Sequence, residues 1–557
     1  MPKSPPAAIR RRVFLAGAVA GLGAAGGIVR AGFTERADGR MAAEEPFAAG
    51  TTLMAVAARP AGPGYRRLAY GPGWPRTVRH DIASPRPGRA DRRTPLAAFV
   101  QFTDLHLTDV QHPLRYEFFR SGSPAAWRPQ EALTLPGAVS LIERVNGLGR
   151  GPATGAPLSF VMATGDNTDN NAAIELDWFL TAMNGGTCTP DTGDPGHYEG
   201  VQNSGLELFW HPESLVRDLD TLAGFPKLDG FLTAAVKPVR SPGLAIPWYS
   251  TLGNHDGLSG GCYAATHNAI AAAATGDRKL QTIPPDEARS LMIGEGRGTD
   301  PAGHRIEALL GRGLKTRTVT PDPRRAPFTM REYLAAHLDP DHVGPGPAGH
   351  GYTAVNLSEE TLYYSFPVAD GVIGISLDST DPGGGKDGSI GSGQLRWLGE
   401  TLTRHKDQYA LVFSHHPSWS MDNGTPDPAR PAETRHSGDE LIGLLGSHRN
   451  VLAWINGHSH CNRIRPRRTF WEICTASHID SPQLARVIEV ADNHDGTLSL
   501  FTTLIESAAP PRSYLHDLSQ TGLASLYREL AANAQGAAPG LAGTPTDRNT
   551  ELLLATP

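Results

Sequence analysis

Short apolar runs along this chain end abruptly in polar clusters. Five stand out: Ala97–Phe102, Leu158–Thr164, Pro247–Leu252, Ala410–Phe413 and Val451–Ile455. Runs of this length, bounded by turn-forming residues, predict buried strands rather than helices. Helical periodicity lies between several of them, at Gly137–Asn146, Ala172–Met183, Gly393–Arg404 and Gly438–Leu445. The alternation predicts an α/β fold whose strands feed loops at their carboxyl ends. Further on, Thr361–Pro367, Gly371–Leu377, Phe470–Thr475, Arg486–Val490 and Thr497–Leu504 alternate apolar and polar positions. They predict strands of a second sheet.

Two stretches break the rhythm. Residues 185–246 and 257–351 are rich in Gly and Pro and hold only fragments of periodicity, such as Thr329–Leu338. They read as insertions between core strands. Residues 32–95 read as an irregular amino-terminal arm, and 507–557, with one short helical stretch near Leu523–Ala532, as a carboxyl-terminal surface extension. The main domain is then 96–506. Residues 1–31 are an address: Arg11-Arg12-Val13-Phe14-Leu15 precedes a Gly- and Ala-rich apolar stretch and a small-residue site at Val29-Arg30-Ala31. This is the pattern of a twin-arginine signal peptide, which predicts the export machinery as a partner and a periplasmic, cell-wall-associated or secreted location. No later segment is long and apolar enough to predict a membrane span.

Composition narrows the chemistry. The formal charge of -6 with scattered basic residues argues against a nucleic-acid partner. The four cysteines, Cys188, Cys262, Cys461 and Cys474, form no Cys-x-x-Cys motif, which leaves a structural zinc site unsupported. They read either as free buried thiols or, outside the cytoplasm, as pairs. Cys461 and Cys474 flank a short hairpin, and pairing of Cys188 with Cys262 would tie the two insertions together.

Ligand-type residues close the five strand ends in order: Asp104-Leu105-His106, Gly165-Asp166-Asn167, Gly253-Asn254-His255-Asp256, His415-His416-Pro417 and Gly457-His458-Ser459-His460. Each motif alone is common. Carboxylate, amide and imidazole donors after five separate apolar strands together suit borderline divalent metals. From about Phe99 to His460 the chain resembles the calcineurin-like metallophosphoesterase superfamily, which includes purple acid phosphatases and cyclic-nucleotide and glycerophosphodiester phosphodiesterases.

The resemblance implies a four-layer α/β/β/α sandwich with long loop insertions, and two metal ions at the strand ends. Asp104, His106 and His460 would hold one ion, Asn254, His415 and His458 the other, and Asp166 would bridge them. Iron, manganese, zinc and cobalt all suit such a site. The implied activity is hydrolysis of a small phosphate mono- or diester by a metal-bridged hydroxide, with His255 as general acid. Asp256 reads either as the residue that orients His255 or as a simple turn acid, and His416 as facing away from the metal or lining the pocket. The segment Thr108–Tyr116, with His112 and Arg115, reads as an exposed loop; Tyr263, Arg463 and His478 are weaker candidates. Two alternatives stay open: a nucleotide or sugar-nucleotide pyrophosphohydrolase using the same site, and an exported metal-binding protein without catalysis.

Overall fold

Parallel strands bring the polar clusters to one edge. A computed structural model describes residues 47–264, 268–300, 303–312 and 315–557; the expected signal peptide and the arm up to residue 46 lie outside the described residues. Strand Thr94–Phe102 runs parallel to Val161–Thr164, and that strand parallel to Trp248–Thr251, with Phe102 opposite Ala163 and Thr164 opposite Thr251. Their carboxyl ends are therefore level, and Asp104, Asp166 and Asn254 follow within three residues. In the second sheet Val372–Ser376, Tyr409–Phe413 and Val451–Asn456 are likewise parallel, with Ser376, Phe413 and Ile455 in one row. His415 and His458 follow that row by two or three positions.

The first sheet has seven strands in the order Thr77–Arg79, Thr550–Ala555, Thr497–Ile505, Ala485–Asp492, Thr94–Phe102, Val161–Thr164 and Trp248–Thr251. The second has six: Tyr364–Ala369, Val372–Ser376, Tyr409–Phe413, Val451–Asn456, Trp471–Cys474 and Arg463–Pro466. The architecture is the mixed α/β expected. Strand periodicity sorts the side chains: in Tyr409–Phe413, Leu411 and Phe413 enter a core shared with the first sheet, while Ala410 and Val412 face helices Ser392–Arg404 and Gly438–Ser447. Phe413 meets Phe99 of the first sheet edge to face, with ring centroids 5.8 Å apart. Helices Thr134–Leu148 and Ala173–Asn184 join the shared core.

Three expectations are corrected. Ala485–Asp492 and Thr497–Ile505 belong to the first sheet, where Val487 sits opposite Val100, because alternation marks a strand without naming its neighbour. Residues 507–557 are integral to the fold. Helix Gln520–Asn533 is buried from Gly522 to Ala531, its Tyr527 ring occupies the space left by Gly137, and Thr550–Ala555 is the second strand of the seven. The arm is also partly regular, since Ala55–Ala58 and Ala69–Pro72 pair and Thr77–Arg79 edges the first sheet.

Both insertions have apolar cores of their own. The first gathers Phe209, Trp210, Phe225 and Phe231 against Trp127 and the helix at Leu523–Leu530; the second packs Tyr263, Ile270, Leu280 and Leu291 against Phe118 and Phe119. Of the two readings left open for the cysteines, free buried thiols is the one found, as all four are unpaired. Polar contacts join the insertions instead: Thr320 N–H donates to Glu199 at 2.9 Å, Gly193 N–H to Asp322 at 2.9 Å, and Arg325 Nε to Thr192 Oγ1 at 2.9 Å.

Leu552 is fully buried in the carboxyl-terminal strand. Leu552→Ala should lower the unfolding free energy by about 2–5 kcal/mol, measured by chemical denaturation. A terminal extension lying loosely on the surface would give almost no change.

Candidate metal centre

Every expected ligand sits where a strand ends, and five of the seven do so in a strained backbone. Asp104, His106, Asp166, His458 and His460 have φ of 52°, 45°, 51°, 61° and 52°. Left-handed backbone is unusual for residues with a Cβ and persists only where the surroundings enforce it. Here it occurs in the crowded turns that follow the strands. Two glycines permit the crowding. A Cβ on Gly165 would lie 2.8 Å from His415 Nδ1 and 2.7 Å from the Gly253 backbone, and one on Gly457 would strike Thr103 Oγ1.

The side chains fall into two clusters joined by one carboxylate. In the first, His460 Nε2 is 3.3 Å and His106 Nε2 4.0 Å from Asp104 Oδ1. In the second, Asn254 Oδ1 lies 3.1 Å from both His415 Nε2 and His458 Nδ1. Asp166 stands between them: its Oδ2 is 3.1 Å from His415 Nε2 and 3.6 Å from His106 Nε2, while its Oδ1 accepts the His255 backbone N–H at 2.8 Å. Asn254 Nδ2 donates to Gly261 O at 3.2 Å, which turns the amide oxygen toward the histidines.

The donor set fits cations. His106 Nε2 is buried without a hydrogen-bond partner, an arrangement that costs free energy unless something binds there. The local field is negative. Burial opposes a charge on His415, yet Asp166 and Asp104 outweigh it and hold its pKa up at about 9. His460 behaves in the same way, with burial overcome by Asp104 and Asp480 and the pKa raised to about 10. A site that holds protons this firmly also attracts metal ions, which must compete with them. Burial, with His416 and His415 nearby, pushes His458 well below the ordinary histidine value.

Several residues at the site carried no signal in the sequence. Asp169 accepts from His106 Nδ1 at 2.9 Å, and its backbone oxygen accepts from His255 Nδ1 at 2.6 Å. Burial works against its charge, but Arg115 Nε at 2.9 Å and the imidazoles hold its carboxyl below the usual range. Arg115 is thus buried, with a second partner in Glu131 at 2.6 Å, and the exposed-loop expectation for Thr108–Tyr116 is corrected. Asp480 repeats the device. It accepts from His460 Nδ1 at 2.6 Å and is clamped by Arg128 at 2.6 and 3.1 Å.

The orienting role considered for Asp256 is also corrected. Its carboxylate accepts the backbone N–H groups of Asn167, Thr168 and Gly253, at 3.0, 2.8 and 3.0 Å, so it braces the loops. Burial raises its pKa to about 6. The group that orients His255 is Asp169. His416 lies beside His415 and His458, with its ring nitrogens engaged elsewhere: Nδ1 is 2.9 Å from Ser379 Oγ and Nε2 3.0 Å from Lys386 O. His112 is buried beside its own loop, Tyr263 packs in the second insertion, Arg463 stacks on Trp419, and His478 lends its backbone N–H to Asp104 O at 3.2 Å.

No family model matches the chain. A manganese-dependent ADP-ribose/CDP-alcohol diphosphatase from Danio rerio is 34% identical over 76 residues, which is 13% of this chain and 22% of the relative. Over that segment the chain is similar to this diphosphatase. Its match spans under a quarter of that curated relative's length. Among solved structures, a dimetal phosphatase from Danio rerio aligns over 74% of this chain and 100% of its own, with a TM-score of 0.32 and 11% identity. The inner-membrane-complex anchor GAP50 of Plasmodium aligns over 77% and 95%, with a TM-score of 0.26 and 10% identity.

Asp169→Asn should weaken divalent-metal binding about 10- to 100-fold, since it removes the carboxylate that orients His106. Metal titration of the apoprotein checks this. Unchanged affinity would show that His106 needs no such support.

Proposed function

We propose that this chain is a metal-dependent phosphoesterase with two ions. The reading rests on one observation: Asp166 Oδ2 stands 3.1 Å from His415 Nε2 and 3.6 Å from the unpartnered His106 Nε2, so one carboxylate serves both clusters. Asp104, His106 and His460 would hold one ion, Asn254, His415 and His458 the other, with Asp166 between the two sets. When bound, such ions polarise phosphoryl oxygens and activate water near neutral pH. Manganese is favoured by the similarity to a manganese-dependent diphosphatase. The donor set also suits iron, zinc and cobalt.

The chain's own contribution is proton management. The carbonyl of Asp169 accepts a hydrogen bond from His255 Nδ1–H, and a Cβ on Gly261 would lie 2.8 Å from Nε2, so the glycine turn of the second insertion keeps that nitrogen open. A proton on Nε2 is then placed for the leaving alkoxide. Asp169 and Asp480 fix the tautomers of His106 and His460 so that Nε2 of each faces inward. Substrates are small phosphate mono- or diesters, and the diphosphatase relative favours a second reading, cleavage within a diphosphate, on the same site.

Chelation should abolish hydrolysis of p-nitrophenyl phosphate and manganese should restore it; absence of any metal-dependent hydrolysis would leave only the metal-binding alternative. His255→Ala should lower turnover by about 10²- to 10⁴-fold for an alkyl phosphate, and by less for the nitrophenyl ester, whose leaving group needs no proton. Equal losses for the two esters would remove His255 from the acid role.

Export by the twin-arginine route is proposed from Arg11-Arg12-Val13-Phe14-Leu15 and the apolar stretch after it. Replacing both arginines with lysine should retain the protein in the cytoplasm, scored by cell fractionation. Normal export of that variant would refute the assignment.

A further inference from the structure

Beside the second ligand cluster runs a loop that the reading above leaves unused, Asp381-Pro382-Gly383-Gly384-Gly385-Lys386-Asp387-Gly388-Ser389. Its frame is fixed from several sides. Asn423 Nδ2 donates to Gly384 O at 2.8 Å and to Asp387 O at 2.9 Å, Gly385 N–H to Cys262 O at 2.9 Å, and Gly388 N–H to Ser420 O at 2.7 Å. His416 Nε2 donates to Lys386 O at 3.0 Å, which ties the loop to the neighbour of a ligand. Gly384 and Gly385, at φ of 96° and 90°, allow the backbone to turn there.

The charge on this loop faces the site. Asp387 Oδ1 is 4.0 Å from His458 Nε2 and 2.6 Å from Lys386 Nζ, so a single carboxylate oxygen separates the ammonium from a ligand histidine. The stem of Lys386 passes the second insertion, where a Cβ on Gly296 would lie 3.5 Å from its Cε. Nearby guanidinium groups are committed to buried carboxylates: Arg115 to Asp169 and Glu131, Arg128 to Asp480. The Lys386–Asp387 pair differs, because its side chains are 47% and 28% exposed. An ion pair in contact with solvent is worth little and exchanges partners readily. The backbone N–H groups of Lys386 and Asp387 have no partner among the described residues.

We propose that the Gly383–Gly388 loop is a subsite for a second phosphate, in which Lys386 exchanges Asp387 for the non-scissile phosphate of a diphosphate ester. This rests on the phosphoesterase reading and deepens it. One phosphate is satisfied at the ion clusters. A second adjacent phosphate brings further negative charge that needs a cation and N–H donors at the rim, and the loop offers both.

The test uses the full manganese-loaded chain with UDP-glucose as the diphosphate ester and p-nitrophenyl phosphate as the single-phosphate ester. In Lys386→Ala the ratio of kcat/KM for UDP-glucose to that for nitrophenyl phosphate should fall about tenfold, chiefly through KM, as for loss of one charge-assisted hydrogen bond. Lys386→Arg should recover most of it. Circular dichroism and metal content confirm that each variant is folded and loaded. An unchanged ratio, or failure of Lys386→Arg to recover it, overturns the subsite. Wild-type hydrolysis of the nitrophenyl ester without any of UDP-glucose also overturns it, and leaves the phosphoesterase reading standing. Hydrolysis of neither ester defeats that reading, and the subsite with it.

Discussion

One carboxylate organises the site. Asp166 has one oxygen held by the His255 backbone and the other set between His106 and His415. The first contact places the proposed acid, and the second joins the two ligand clusters. Both require strand ends Val161–Thr164 and Trp248–Thr251 to be level and Gly165 to have no side chain. The sheet register therefore sets the geometry of the candidate site directly. A slip of one residue would turn these side chains to the opposite face.

Concentrating carboxylates and imidazoles in a buried site is costly unless each charge has a partner. This chain meets the requirement in layers. Asp169 and Asp480 orient the ligand histidines, and Arg115 and Arg128 neutralise those acids in turn. Glu131, which burial alone would leave protonated, is held between the same two arginines, with its pKa raised to about 7. Each layer fixes the rotamers of the one inside it, and the inward-facing nitrogens need little rearrangement to receive a cation.

The second insertion reaches the site. The turn of the second, Leu258–Ala264, orients Asn254 through Gly261 O and leaves space at the tip of His255. Its body packs against the segment after the first motif, while the first insertion packs against the carboxyl-terminal helix. Segments far apart in the chain are thereby packed together.

The five strands of the motif framework and four helices were legible in the sequence, and the seven residues expected to be ligands lie together at the strand ends. Apolar runs ending in Asp, Asn and His are a local signal, and strand periodicity is written residue by residue. The supporting acids were hidden, because Asp169 and Asp480 look like ordinary loop residues until folding brings His106 and His460 beside them. Arg115 looked solvated for the same reason: its partners Glu131 and Asp169 lie 16 and 54 positions away. The sheet membership of Ala485–Asp492 and Thr550–Ala555 was equally invisible, since alternation reports that one face is buried and says nothing of what covers it. Local pattern determined which residues end the strands. Long-range pairing alone decided which charges meet there, because a buried charge is stable only beside a partner that the local sequence does not contain.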